Sequence, residues 1–158
     1  MSRILTVSVA LSLALLAAGC SSTGRSGPPS RGYFLQPVDG LKTSSFSPGG
    51  FGHRKHDGVD IASPAGKPVR ATADGRVIAA QRYGAYGLMV RVQHPGGWES
   101  MYAHLSRIEV RKGQQVKAGA MVGRVGSTGN ATGPHLHFEL ARNGQLVDPE
   151  SLMRFQQY

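Results

Sequence analysis

The chain has 158 residues, of which 40% are hydrophobic and 17% are charged, and its formal net charge is +9. This length and composition suit one domain of ordinary size with a packed core, and they exclude a wholly disordered chain. A single cysteine excludes an intramolecular disulfide framework and any metal site built from several thiolates, so a metal would need histidine and carboxylate ligands. The basic residues are scattered along the chain, which argues against nucleic-acid binding.

The first 19 residues are predicted to be a secretory signal and no part of the fold. Arg3 supplies a positive start, and residues 4–18 form an uncharged, mostly apolar run that is short for a membrane-spanning helix. The sequence LAAGC at residues 16–20 resembles the lipobox of bacterial lipoproteins, which implies lipidation of Cys20 after cleavage. The alternative is an ordinary cleaved signal with an incidental cysteine.

A flexible tether is predicted directly after the cysteine. Residues 21–32 contain Ser, Thr, Gly, Pro and Arg, and none of them offers an apolar side chain to a core. The lipidated cysteine and tether therefore occupy residues 20–32, and the folded domain occupies residues 33–158. Ser21 resembles the sorting signal of outer-membrane lipoproteins, so the protein is expected in the cell envelope, attached to the outer membrane by its lipid and facing the periplasm.

Short strand-like runs, separated by glycine and proline, predict an all-β antiparallel domain. Asp-Gly at 74–75 and Asn-Gly at 143–144 are dipeptides favoured in tight hairpins, and Pro-Gly-Gly at 95–97 predicts another turn. No segment shows a helical period over 11 or more residues. The predicted strands are Val69–Thr72, Arg76–Arg82, Leu88–His94, Ser100–Leu105, Met121–Val125 and Leu136–Ala141.

Four histidines and one aspartate are the candidate site residues. His135 and His137 lie two apart in a predicted strand, so their side chains would project from the same face. His56 and Asp60 are four residues apart and would also share a face in an extended segment. His104 lies near the end of another predicted strand.

These residue types favour zinc, because imidazole and carboxylate groups are both good zinc ligands. A catalytic zinc site normally has three protein ligands and a water molecule, whereas a structural site fills all four positions with protein. Three ligands would leave two histidines for supporting or proton-transfer roles. Spacing alone does not identify the three ligands.

Four motifs, taken in order along the chain, resemble the lysostaphin/LytM-type zinc endopeptidases. The resemblance extends from about residue 46 to residue 152. It implies a compact, antiparallel, two-sheet fold between a β-sandwich and a barrel, with a zinc-binding groove. The motifs are FGHR at 51–54, HDGVDIA at 56–62, YAHLS at 102–106 and TGPHLHFE at 132–139.

The resemblance implies a role for each candidate residue. His56, Asp60 and His137 match the positions that bind zinc, and His104 and His135 match two histidines that assist catalysis. The implied activity is hydrolysis of the peptide cross-links of bacterial peptidoglycan by a zinc-activated water, and it should decline in acid as the ligand histidines become protonated.

A non-catalytic role is the alternative. Some relatives have lost ligands and only regulate other cell-wall enzymes, so the chain could instead activate a cell-wall amidase. The complete set of five residues argues against that role. Protein regulators of the chain itself are left open.

Three other features receive different interpretations. His94, at a strand end before a proline, is predicted to be a turn or surface residue. The glycine-rich residues 126–133 lack the signature of a phosphate-binding loop and are predicted to line the groove and deliver His135. A weak similarity between residues 66–71 and 113–118 suggests a lipoyl or biotinyl carrier module, but no lysine lies between two methionines as such a module would require.

Overall fold

The computed structural model describes residues 34–49 and 55–156, in which eleven β-strands form two antiparallel sheets. The predicted signal, the lipid on Cys20 and the tether lie outside the described residues and stay predictions. No helix in the described part of the chain is long and apolar enough to cross a membrane.

The larger sheet contains eight strands. They are β1 (Leu41–Ser44), β2 (Val59–Ala62), β4 (Gly75–Arg82), β5 (Leu88–His94), β6 (Trp98–Leu105), β8 (Gln115–Val116), β10 (His135–Arg142) and β11 (Gln145–Val147). The order across the sheet is β1-β2-β10-β6-β5-β4-β8, and β11 also pairs with β10. The long strand β10 therefore lies between β2 and β6, in the middle of the sheet.

The smaller sheet has three strands, β3 (Pro68–Arg70), β7 (Arg107–Ile108) and β9 (Met121–Arg124), in the order β3-β9-β7. The two sheets share one apolar core. Val59 of β2, Tyr102 of β6 and Phe138 of β10 are fully buried in it, together with Val69 and Val122 of the smaller sheet. The alternation of buried and less buried residues along β2 and β5 follows from the two-residue repeat of a strand. The predicted all-β, antiparallel, two-sheet architecture is confirmed.

The six predicted strands are present, with ends within two residues of the predicted ones. The sequence did not predict the five other strands, which have only two to four residues each: β1, β2, β7, β8 and β11. A run this short gives too few alternations for its hydrophobic pattern to indicate a strand. Each of them is stabilised by pairing with another strand.

Two of the three predicted turns join neighbouring strands. Pro95–Gly97 connects β5 to β6, and Asn143 and Gly144 connect β10 to β11 with positive φ angles of 51° and 79°, as a two-residue hairpin requires. The hairpin predicted at Asp74 is wrong, because the strands on either side belong to different sheets. The Asp74 carboxylate instead accepts hydrogen bonds from the Lys117 ammonium and the backbone N–H of Ala118, both at 2.8 Å.

The prediction that His94 lies in a turn or at the surface is also wrong. Strand β5 continues through it, and its side chain shares the buried face of Val90 and Val92. Its Nδ1–H donates to the carbonyl of Asp74 and its Nε2 pairs with the Ser100 hydroxyl, both at 2.8 Å. Burial lowers the pKa of His94, so this histidine is a neutral part of the core.

Candidate active site

The pairing of β2 with β10 brings two of the candidate residues face to face. Asp60 and His137 occupy directly opposite positions in this antiparallel ladder, where side chains on one face lie roughly 5 Å apart. His135 lies two residues before His137, so the two project from the same face of the sheet, as the sequence analysis predicted. Leu136 and Phe138 point the other way, into the core.

His56 reaches the same point from the segment before β2. Two backbone hydrogen bonds of 2.9 Å pair His56 with Ser47. The ring Nδ1–H donates to the carbonyl of Ser45 at 2.8 Å, which leaves Nε2 facing the site. Gly58 lets this segment approach β10, because a Cβ atom there would lie 2.2 Å from the carbonyl oxygen of Phe138.

The ligand atoms of His56, Asp60 and His137 converge. Asp60 Oδ1 lies 2.9 Å from His137 Nδ1 and 3.2 Å from His56 Nε2, and the two histidine nitrogens are 3.2 Å apart. Two imidazole nitrogens and one carboxylate oxygen form a donor set that zinc takes at catalytic sites. The three residues therefore fit a zinc ion and are the trio that the family resemblance implied; their role as ligands stays a prediction.

The pKa values of Asp60 and His137 shift in opposite directions within this cluster. Burial favours the neutral carboxyl of Asp60, but the hydrogen bond from His137 and its charge outweigh burial and lower the pKa of Asp60. Burial would likewise lower the pKa of His137, but the hydrogen bonds and charges of Asp60 and Glu139 raise it to about 9. A metal at this point would take the place of the proton on Nδ1.

His104 and His135 lie beside the cluster. Their ring centroids are 4.7 Å apart, and His135 Nε2 is 3.8 Å from Asp60 Oδ1. Each donates its Nδ1–H to a loop carbonyl, His104 to Thr128 at 2.8 Å and His135 to Gly133 at 2.9 Å, so Nε2 of each ring is left as a proton acceptor. Burial lowers the pKa of His104 and favours its neutral form.

All five candidate residues line one groove of about 390 Å³. The loop at 126–133 forms part of its wall, as predicted, and bonds through the N–H of Asn130 to the carbonyl of Ala85 at 2.7 Å. A smaller hollow continues past Asp60 and His135 towards β1. The other residues that line the main groove are Lys55, Asp57, Ala85, Tyr86, Asn130 and Thr132.

Two residues to which the sequence analysis gave no role complete the site. Glu139 Oε1 accepts a hydrogen bond from His137 Nε2–H at 3.0 Å and another from the Tyr86 hydroxyl at 2.9 Å. The sequence did contain a signal for Glu139, which lies two positions after His137 and therefore on the same strand face. Nothing comparable pointed to Tyr86, because it lies in a turn between β4 and β5.

Comparison with known proteins gives a consistent result. The model of the family described as "Peptidase family M23" matches residues 54–149, which is more than half of the chain. The DD-carboxypeptidase/endopeptidase Mpg of Neisseria meningitidis is 50% identical over 99 residues, which cover 63% of this chain and 23% of Mpg. The chain is thus similar to about a quarter of that longer protein.

Two further similar proteins differ in what their names describe, one as an activator and the other as a peptidase. The murein hydrolase activator EnvC of Escherichia coli is 39% identical over 130 residues, covering 82% of this chain and 31% of EnvC. The catalytic domain of the antimicrobial peptidase lysostaphin from Staphylococcus simulans superposes with a TM-score of 0.64 at 32% identity, covering 71% of this chain and 90% of that domain. The resemblance to lysostaphin inferred from the motifs is confirmed.

Proposed function

The chain belongs to peptidase family M23, and we propose that it is a zinc-dependent endopeptidase that hydrolyses the peptide cross-links of bacterial peptidoglycan. The convergence of His56, Asp60 and His137 in a groove that also contains His104 and His135 carries this proposal. An open groove suits an extended peptide better than an enclosed cavity would. The name of Mpg, a DD-carboxypeptidase/endopeptidase, agrees with this substrate class.

The chain's own side chains supply binding, orientation and proton transfer. His56, Asp60 and His137 would hold the metal, which when bound polarises a carbonyl and makes water acidic enough to act near neutral pH. His104 is neutral because it is buried, and its Nε2 can accept a proton from the attacking water and return it to the leaving amine. The ring of His135 stands 4.7 Å from that of His104, and its Nε2 offers a second proton acceptor in the same groove.

The alternative is an activator without hydrolytic activity of its own. It is favoured by the similarity to EnvC, a murein hydrolase activator, which covers more of this chain than the similarity to Mpg. The complete cluster of possible ligands favours the enzyme, because an activator has no need of two imidazoles and a carboxylate within bonding distance of one another.

The two functions are separated by incubating the purified protein with cross-linked peptidoglycan. We expect release of cross-link peptides, detected by mass spectrometry, to stop with a chelator, return on adding zinc, and be absent in His137→Ala and Asp60→Asn. Glu99→Gln is the matched control: Glu99 pairs with Arg91 and is absent from the groove lining, so this variant should release the same peptides as the unaltered protein.

A parallel incubation adds a cell-wall amidase. If the unaltered protein releases nothing at any zinc concentration but accelerates the amidase, the activator function is correct and the endopeptidase function is wrong.

A further inference from the structure

We propose that Glu139 is a positioning residue, which orients His137 towards the metal and holds Tyr86 against the same histidine. This inference rests on the proposed function, because it assigns a role towards the metal that His137 would bind. Glu139 does not line the groove, and its side-chain hydrogen bonds go to His137 and Tyr86, which do.

The first step concerns the tautomer of His137. Its Nδ1 can present a lone pair to a metal only if the proton of the neutral ring is on Nε2. Glu139 Oε1 lies 3.0 Å from Nε2, and an ionised carboxylate only accepts hydrogen bonds, so it selects the Nε2–H form. Carboxylates that accept from the far nitrogen of a ligating histidine also increase the basicity of the ring and fix its orientation.

The second step concerns Tyr86. Its hydroxyl donates to the same oxygen, Glu139 Oε1, at 2.9 Å, and its ring centroid lies 5.8 Å from that of His137. One carboxylate therefore sets both the rotation of the histidine ring and the position of the tyrosine that lines the groove beside it. Tyr83, more than half exposed, stacks on the outer side of Tyr86 with the rings 15° from parallel.

Backbone pairing holds this part of β10 in the sheet. The backbone of Glu139 is paired with Met101 of β6. On its other side the pairing with β2 ends at Phe138 and the pairing with β11 begins at Leu140. The side chain of Glu139 is only 11% exposed, so water replaces it poorly and its loss would leave the Nε2–H without an acceptor. The side-chain hydrogen bonds of Glu139 thus go to the histidine and the tyrosine, which favours positioning over support of the fold.

The test measures zinc affinity by competition with a chromogenic chelator, in the unaltered protein and in Glu139→Ala, Glu139→Gln and Tyr86→Phe. We expect Glu139→Ala to weaken zinc binding about 10- to 100-fold, as is typical for loss of such a partner. Glu139→Gln should lose less, because its amide oxygen can still accept from Nε2–H. Tyr86→Phe should stay within about two-fold of the unaltered protein, since it leaves the histidine–carboxylate bond intact.

A second measurement records the Nε2–H proton of His137 by NMR in the zinc-loaded protein. The unaltered protein and Glu139→Gln should show it as a slowly exchanging, downfield-shifted resonance, and in Glu139→Ala it should exchange faster with water. Glu99→Gln removes a carboxylate from the adjacent strand β6 without touching His137, so both its zinc affinity and its spectrum should be unchanged.

The outcomes separate the two proposals. If the unaltered protein does not bind zinc, the proposed function fails. If it binds zinc and both Glu139 variants bind equally well, or Tyr86→Phe loses as much as Glu139→Ala, the positioning role is wrong while the proposed function stands. Should Glu139→Ala fail to fold, Glu139→Gln decides: a zinc affinity equal to that of the unaltered protein would assign the carboxylate to folding alone.

Discussion

At the scale of single residues, the backbone of His104 combines strain with a chemical role. Its φ angle is +60°, in the left-handed region that few residues other than glycine and asparagine adopt. His104 is the last but one residue of β6, its ring lies beside that of His135, and its Nδ1–H donates to the carbonyl of Thr128. Such strain is common where a side chain must point at a reacting group.

Substitution of His104 by asparagine or by alanine separates its backbone strain from its chemical role. We expect His104→Asn and His104→Ala both to reduce peptidoglycan hydrolysis about 10²- to 10⁴-fold, because both remove the proton-transferring ring. Asparagine tolerates the left-handed backbone better than alanine does. The free energy of unfolding of His104→Asn should therefore exceed that of His104→Ala by roughly 1 kcal/mol, and its unfolding temperature should be higher. Hydrolysis rates and thermal unfolding measure the two effects, and an unimpaired His104→Asn enzyme would contradict the proposed role.

At the scale of elements, the turn at 83–87 and the loop at 126–133 support each other. The Thr128 hydroxyl accepts from the N–H of Leu88 at 2.9 Å and donates to the carbonyl of Leu105 at 2.8 Å. Gly87 fits against this loop because it has no side chain: a Cβ atom there would lie 2.4 Å from Thr128. The loop that accepts the Nδ1–H of His104 is thus held by a turn that is distant in sequence.

Two glycines of this turn make a matched pair for testing that support. Both have positive φ angles, 44° at Gly84 and 66° at Gly87, but a Cβ atom at Gly84 would meet nothing within 4 Å. Gly84→Ala therefore adds backbone strain alone, about 1 kcal/mol, whereas Gly87→Ala also displaces the loop. We expect a larger loss of stability and faster amide exchange over residues 126–133 in Gly87→Ala; equal exchange in both variants would show that the turn does not hold the loop.

The elements also show what the sequence could and could not predict. The long strands were predictable because their apolar residues alternate and glycine or proline marks their ends. The shared face of His135 and His137 was predictable for the same reason, whereas the grouping of His137 with His56 and Asp60 came from the family resemblance. Strand β2, the Ser47–His56 bridge and the contact of Tyr86 with Glu139 were not predictable, because each depends on partners far away in the chain.

At the scale of the whole molecule, the stability of the metal-free protein should depend on pH through the protonation of His137. Its pKa is about 9 when folded and about 6.5 when unfolded, so the folded state binds the proton more tightly. The resulting stabilisation is complete below pH 6.5 and is lost as the pH rises through 9. Zinc affinity should instead increase as the pH rises, because zinc binding requires the deprotonated ring.

The difference in unfolding temperature between zinc-loaded and chelator-treated protein should therefore increase from pH 6.5 to pH 9. Thermal unfolding at both values, at fixed free zinc, measures this difference. His137→Gln, which cannot bind the proton or donate the same ligand nitrogen, should show little difference at either pH. An equal zinc effect at both pH values in the unaltered protein would contradict the raised pKa.

The register that sets Asp60 opposite His137 makes metal affinity a reporter of correct assembly. Side chains alternate along a strand, so a slip of one residue between β2 and β10 would turn His137 to the other face and leave only His56 and Asp60 near each other. Asp60 and His137 are 77 residues apart in the chain, so they come together only after β2 and β10 have paired in the correct register. Tight metal binding during refolding would mark the moment at which the topology is complete, and misregistered chains would stay metal-free and inert.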